Sequence, residues 1–456
     1  MQLAPSTRHI GIVALALSLS ACSGGGNGSV PNPANPPQSY RGAVTAFSNV
    51  TTITVAQMEA DESYPIIAAV GGPPLCDVTL YSIDYKTAGA KGEPANASEG
   101  FFVPGSACGT GPFPLIGYAH GTNTVKEQKI SDPSTYNPEL TAPDQDPYVV
   151  AAIYASQGYA VAATDYLGLG DSTYPYHPYL QVSSEATSVI DALRAARTVA
   201  AKSNVALSGQ VLLAGHSQGG QVTMGTQRAI EASGTSEFNL VGSAPSSGPY
   251  DLTQTFLDSL AKQSQDAPIL AAYILPGYNK TYGNVYSTPS DIFLQPYAAT
   301  VDTLLPVATF ADEIPILEGE TLPLQLNQLL APSFYTSYQN DPSSGARVDT
   351  AKNDLLNGWV AKAPQFICGG SQDPEVEFKN ALAAQQYFNS VGSRVVLTDV
   401  NLYVQQTGVP ISDYHVTVAD FCLTLARVEF FDNLLGTQAH NKRVRGFTGL
   451  KGGALR

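Results

Sequence analysis

The stretch Gln210-Val211-Leu212-Leu213-Ala214-Gly215-His216-Ser217-Gln218-Gly219-Gly220 runs from unbroken apolar residues, through a glycine-flanked serine, into residues 221–232, which have helical patterning. A short apolar run bounded by turn residues reads as a buried strand, and a helix opening directly after it puts the serine at the corner between the two. The backbone at such a corner is strained, and side chains two positions to either side would collide; hence Gly215 and Gly219. The corner lifts the Ser217 hydroxyl above the sheet edge. It also aims the Gln218 amide and the helix N-terminus at negative charge developing on a bound carbonyl oxygen. Ser217 is therefore the candidate nucleophile and Gln218 the first candidate oxyanion donor.

Outward from this corner, from Arg41 onward, short apolar runs alternate with helical patterns, which predicts a mostly parallel sheet flanked by helices. Strands are expected at residues 113–119, 159–163, 210–214, 240–244, 364–367 and 394–398. A hairpin is expected from 77–85 against 100–103, turning near Lys91-Gly92-Glu93. The best helix, 185–200, places Ala186, Val189, Ile190, Leu193 and Ala196 on one face, with Arg194 and Arg197 turned away. The alternation stops between about 249 and 363. Helical fragments (256–262, 322–330), many prolines and the aromatics Tyr273, Tyr278, Tyr282, Tyr286, Phe293, Tyr297, Phe334, Tyr335 and Tyr338 predict an inserted helical cap, because a structureless loop of this length is improbable. Most of these aromatics are expected to fill the cap's own core.

A serine hydroxyl needs a base, and histidine is the natural one near neutral pH. Six histidines are available. His9 lies in the leader, and His216 sits in the corner itself, where its side chain should point away from Ser217. His120 and His177 precede the serine, whereas in a sheet of this kind acid and then histidine follow it. His440 lies in a basic tail. His415, after the last strand and before an expected helix over 416–434, is the candidate base. The acid should lie on a loop at the carboxyl end of a strand. Asp373, in Ser371-Gln372-Asp373-Pro374, fits, with Glu375 and Asp399 as alternatives. A second oxyanion donor is expected after strand 113–119, where Gly121 permits close approach and the Thr122 amide is the candidate.

The chain carries 38 acidic against 23 basic residues, a formal charge of −15. Phosphate backbones offer it no attraction, so nucleic acid is not an expected partner. Arg8 and His9 precede an apolar run, 10–19, too short to span a bilayer as a mature helix. Residues 1–21 read as an export signal. Leu19-Ser20-Ala21-Cys22 resembles the bacterial lipobox, making Cys22 the expected lipid-attachment residue; an ordinary secretory signal is the alternative. With Ser23 next, the expected destination is the outer membrane, periplasm or cell surface, with membrane contact only through the anchor. Residues 22–40 read as a flexible tether, and 41–456 as one domain carrying the cap. Setting Cys22 aside leaves four cysteines, an even number in a disulfide-permissive compartment. The hairpin favours Cys76 with Cys108, and exclusion then pairs Cys368 with Cys422; four free thiols is the alternative. No Cys–His cluster has metal-ligand spacing, and no cofactor is expected.

Tyr118-Ala119-His120-Gly121-Thr122, Asp165-Tyr166-Leu167-Gly168-Leu169-Gly170, His177-Pro178-Tyr179-Leu180 and Gly215-His216-Ser217-Gln218-Gly219-Gly220 together resemble secreted bacterial lipase/esterase-type α/β-hydrolases, akin to the fungal secretory lipases with a helical cap. The resemblance covers roughly 48–434. It implies the α/β-hydrolase fold, ester hydrolysis without a cofactor, and a cap that shapes the acyl site; Ser217, Asp373 and His415 match the family's triad positions. Substrates would be small, lipid or polymer-borne esters. Two other readings are a serine aminopeptidase, with Glu313, Glu318 or Glu320 holding a substrate ammonium, and a surface lipoprotein that only binds.

Overall fold

The apolar runs become strands buried on both faces, as a sheet covered by helices requires. The computed structural model describes residues 40–234, 236–262, 266–407 and 413–436; the expected signal, Cys22, almost all of the tether and His440 lie outside them. Nine strands form one sheet among the described residues: β1 Val44–Ile53, β2 Val78–Ala88, β3 Pro94–Pro104, β4 Phe113–Ala119, β5 Ala160–Thr164, β6 Leu207–His216, β7 Asn239–Ser246, β8 Gln365–Gly369 and β9 Val395–Asp399. Their order is β1-β2-β3-β5-β4-β6-β7-β8-β9. Strands from β5 to β9 pair in parallel, while β1, β2 and β3 form an antiparallel margin. The chain is an α/β-hydrolase in architecture.

The period-two alternation of a strand divides β6 between two cores. Val211 and Leu213 pack with Val189, Leu193 and Ala196 of the helix Val182–Lys202 on one face. Leu212 and Ala214 pack with Val149, Ile153, Phe421 and Phe431 on the other. The sequence reading did not include β1. Most of that strand is exposed at the sheet edge, so it has no apolar run to betray it. The expected hairpin is present, with Val78 opposite Pro104 and Ala88 opposite Pro94. Disulfides join Cys76 to Cys108 and Cys368 to Cys422, each with Cα atoms 5.6 Å apart.

Between β7 and β8 the chain is helical, including Leu252–Lys262, Ala267–Tyr282, Phe310–Leu317, Pro332–Asn340 and Gly345–Lys352. This insertion has its own apolar cluster, in which Tyr273, Tyr278, Phe293, Phe334 and Tyr338 are buried. Leu355 and Ala361 pack instead with Met224, Ile367 and Phe388 beside the sheet. The expected helix over 322–330 shrinks to Leu326–Leu329 between extended Gln325 and Leu330; Leu330 is drawn into an antiparallel bridge with Phe293, and the Leu329 carbonyl accepts from the Leu294 amide. The expected helix over 416–434 begins earlier, at Tyr414. It runs to Leu425, continues as a π-turn over Ala426–Phe431 and ends at Leu435. His415 thus lies in its first turn rather than ahead of it. No helix among the described residues is long and apolar enough to cross a membrane.

Candidate active site

Ser217 stands between β6 and the helix Gln218–Ala232 with φ 56° and ψ −122°. A serine there is strained by about 1–3 kcal/mol. Its amide donates to the Ser246 carbonyl at 3.0 Å, and its carbonyl accepts from the Gly220 and Gln221 amides, so the corner is held from both sides. A Cβ on Gly219 would overlap the Ala119 carbonyl oxygen, and one on Gly215 would meet both that atom and Gly219 O. The glycine spacing read from the sequence has this physical cause.

His415 approaches from the first turn of Tyr414–Leu425, a helix capped by the Asp413 side chain accepting from the Val416 amide. Its Nδ1 lies 2.7 Å from Asp373 Oδ2. The other oxygen, Asp373 Oδ1, accepts from the Glu375 and Val376 amides at 3.0 and 3.1 Å, which fixes the carboxylate. Asp399 is occupied elsewhere, accepting from the Ser371 and Asn401 amides. Glu375 approaches the opposite ring nitrogen, with Oε2 3.9 Å from Nε2. Nε2 itself is buried and makes no hydrogen bond; it faces a cavity that Ser217 and His415 line together.

Burial lowers the His415 pKa, but the attraction of Asp373 and its hydrogen bond, aided by Glu375 and Asp144, outweigh this and carry it to about 9. Burial pushes Glu375 to about 7, although His415 pulls it down. Burial likewise raises Asp144 to about 6, against the hydrogen bond from Gly121.

The remaining described histidines are structural. His120 Nδ1 donates to the Gly121 carbonyl, 2.7 Å away, and burial lowers its pKa to about 4. His177 sits 2.8 Å from the Leu167 carbonyl, and burial lowers it to about 3. His216, expected to point away from Ser217, makes no ring-nitrogen hydrogen bond. Its ring packs against that of His415, with centroids 4.7 Å apart, because strand alternation puts it on the same face of β6 as Leu212 and Ala214, the face covered by the helix that carries His415.

Thr122 and Gln218 both line the apolar cavity beside Ser217. Their loops are tightly held: the Gly121 amide donates to Asp144 Oδ2 at 2.6 Å, and Gln145 donates to the Thr122 carbonyl at 2.7 Å. Asp144 was not foreseen. It lies far from any motif in sequence and reaches the site only through the loop before Pro147–Ile153.

Two cavities meet at Ser217. One is mainly apolar, with Leu252, Phe256, Ala267, Leu270, Ala271, Ile274 and Leu326 from the insertion facing Tyr179, Leu180 and Ser217. The other carries the carboxyl groups of Asp144, Asp266 and Glu375 beside His216 and His415, with Ile269, Leu270 and Val416 completing its wall. Glu313, Glu318 and Glu320 line neither; Glu313 is buried against the Thr124 hydroxyl. Among the described residues no three His, Cys, Asp or Glu side chains are grouped to hold a metal ion.

Comparison with known proteins gives this geometry its family. The family model described as secretory lipase matches residues 138–287. The crystal structure of LipA from Xanthomonas oryzae, a rice cell wall degrading esterase, is 35% identical over 86% of this chain and 99% of its own, with a TM-score of 0.76. The chain belongs to the secretory lipase family. It is a carboxylic ester hydrolase. A protein from Legionella pneumophila (23% identity, 87% of this chain, 98% of its own, TM-score 0.71) shares the fold. So does Candida antarctica lipase A (16%, 85% and 81%, TM-score 0.56). No curated protein matched by sequence. Within this secretory lipase, the segment His177-Pro178-Tyr179-Leu180, noted from the sequence only as part of the resemblance, proves to line the site through Tyr179 and Leu180.

Proposed function

We propose that this secretory lipase is an exported serine esterase that works through an acyl-enzyme on Ser217, with His415 as base and Asp373 as its orienting acid. One observation carries the reading: a half-buried serine on a strained strand-to-helix corner shares a cavity with a histidine whose far nitrogen is bound to a fixed carboxylate. His415 Nε2 takes the proton as Ser217 Oγ attacks the ester carbonyl. Asp373 holds the Nδ1–H tautomer and stabilises the imidazolium. The Gln218 and Thr122 amides receive the oxyanion. The alcohol leaves with the proton from His415, and water repeats the sequence on the acyl-enzyme.

The acyl chain occupies the apolar cavity and the alcohol the one that carries Asp144, Asp266 and Glu375. LipA's action on rice cell wall material supports a polymer-borne ester as one substrate class for this chain as well. Export is supported by the leader-like residues 1–21, by the description of the family as secretory and by two disulfides. Anchoring through Cys22 is part of the same proposal, tested by metabolic fatty-acid labelling of the wild type and Cys22→Ala.

A fluorophosphonate probe should label the native protein, and Ser217→Ala should fold, lose labelling and lose nitrophenyl-ester hydrolysis by several orders of magnitude. Labelling that persists in the variant would move the nucleophile elsewhere. Cleavage of an aminoacyl anilide in preference to the ester would replace the esterase reading with the peptidase one.

A further inference from the structure

The two proposed oxyanion donors follow neighbouring strand ends, Thr122 after β4 and Gln218 after β6; the strands pair as far as Ala119 opposite Gly215, and beyond that register a gap separates the Thr122 and Gln218 side chains. Useful oxyanion stabilisation requires both N–H groups to be held within fractions of an ångström. Residues 177–180 bridge the gap. On one side, the Tyr179 hydroxyl is hydrogen bonded to Thr122 Oγ1 at 2.8 Å. On the other, the Gln218 side-chain amide has only two N–H groups to give, and two acceptors stand in reach: His177 Nε2 at 2.8 Å and Glu185 Oε1 at 2.5 Å. His177 Nδ1 faces the Leu167 carbonyl at 2.8 Å, so that nitrogen carries the proton and Nε2 accepts. Glu185 Oε1 also receives the Leu180 amide at 3.0 Å. That contact supports Leu180 in a left-handed conformation, φ 54°, which is strained for an L-residue with a side chain.

The insertion closes the assembly. Tyr273 stacks on Tyr179 with ring centroids 4.8 Å apart and planes 9° from parallel, and its hydroxyl donates to the Asn123 carbonyl beside Thr122 at 3.0 Å. Tyr278 donates to the Leu180 carbonyl at 3.0 Å. A buried carboxyl with no cation beside it is expensive. Glu185 is 1% exposed, and its second oxygen has no hydrogen-bond partner. Packing alone would be better served by an apolar side chain, so the role of Glu185 lies in what its first oxygen holds.

We propose that Glu185 and Tyr179 are positioning residues that fix the Gln218 and Thr122 amides in mutual register, with Tyr273 and Tyr278 of the insertion clamping the bridge between them. The inference rests on the reading of Thr122 and Gln218 as oxyanion donors. Neither Glu185 nor the Tyr179 hydroxyl takes part in proton transfer; they set where the oxyanion is received. The seating of the insertion therefore sets the quality of the oxyanion site as well as the shape of the acyl cavity.

The test compares Glu185→Ala, Glu185→Gln and Tyr179→Phe with the full-length wild type, using a short nitrophenyl ester and an alkyl boronic acid that forms a tetrahedral adduct on serine. Glu185→Ala and Tyr179→Phe should lower kcat by about 10- to 100-fold, the scale of an ångström-level misplacement, with KM within about 3-fold. Boronic acid affinity should fall in parallel with kcat/KM. Glu185→Gln keeps an acceptor oxygen at Oε1 and should restore most of kcat. Should Glu185→Ala fail to fold, Tyr179→Phe removes a single oxygen and carries the test. Losses confined to KM, unchanged boronic acid affinity, or Glu185→Gln as impaired as Glu185→Ala would overturn the inference. Activity surviving in Ser217→Ala would instead overturn the underlying reading. An inactive Ser217→Ala beside kinetically silent Glu185 and Tyr179 variants would overturn the inference alone.

Discussion

At the scale of single residues, His415 sits between two carboxylates with different tasks. Asp373 binds Nδ1 and is itself fixed by two backbone amides, so it sets tautomer and orientation. Asp373→Asn should therefore cut kcat far more than it changes KM, by about 10⁴-fold if it follows the analogous change in serine proteases. A small loss there beside a large one in Glu375→Gln would reassign the acid. Glu375 stands 3.9 Å from Nε2 and, when ionised, favours the imidazolium. A base must be neutral to accept a proton, and the His415 pKa is raised to about 9. Hence kcat/KM of the free enzyme should rise with pH through the alkaline range. Glu375→Gln removes a negative neighbour, which lowers the His415 pKa, so the rising limb should move to lower pH and relative activity at pH 7 should increase. A limb that stays in place or moves upward in the pH–rate profile would contradict this electrostatic account.

At the scale of elements, the proposed triad depends on β6, β8 and the helix Tyr414–Leu425 keeping their relative places. The Cys368–Cys422 bond joins the strand that leads to Asp373 to the helix that carries His415, across 54 residues of sequence. Cys76–Cys108 closes a shorter loop of 32 residues at the base of the hairpin. Chain-entropy arguments give each bond about 4 kcal/mol of stabilisation, acting mainly on the unfolded state. Replacing Cys368 and Cys422 together with alanine should lower the melting temperature well before it lowers kcat at low temperature. Loss of the Cys76–Cys108 bond should affect stability alone. Calorimetry and steady-state kinetics on the same samples check both, and peptide mapping of the unreduced protein should recover the two pairs.

At the scale of the whole molecule, substrate choice belongs to the space between the insertion and the sheet. The sheet side offers Ser217, Thr122 and Gln218; most of the apolar surface comes from Leu252–Lys262 and Ala267–Tyr282. Ala271, buried in the wall of that cavity, is a place to shorten it. Ala271→Phe should leave acetate and butyrate esters within about 3-fold of wild type. Longer acyl esters should lose about 3 kcal/mol, roughly 100-fold in kcat/KM, for three or four methylenes denied burial at about 0.8 kcal/mol each. A panel of nitrophenyl esters of increasing chain length reads the result; equal losses at every length would mean that the acyl chain lies elsewhere.

Local patterns determined much of this protein from sequence. The strand–serine–helix corner at Ser217 was legible because the backbone strain demands glycines at fixed spacing. The parallel core was legible because strands buried on both faces must be apolar throughout. The proposal of His415 as base rests on having few histidines and a fixed chain order; of the cysteine pairs, Cys76–Cys108 followed from the hairpin and Cys368–Cys422 by exclusion. Tertiary structure decided what depends on distances between segments remote in sequence. It distinguished Asp373 from Glu375 and Asp399, three carboxylates that look alike until one is 2.7 Å from a ring nitrogen. It turned His216 toward the base, brought Asp144 under Gly121, and linked Glu185 to Gln218 across 33 residues. β1 escaped notice because an exposed edge strand buries too little to leave an apolar signature. The insertion was legible as helical and aromatic but not as a cavity, since a cavity is the space that side chains from several helices leave between them, and no single segment encodes it.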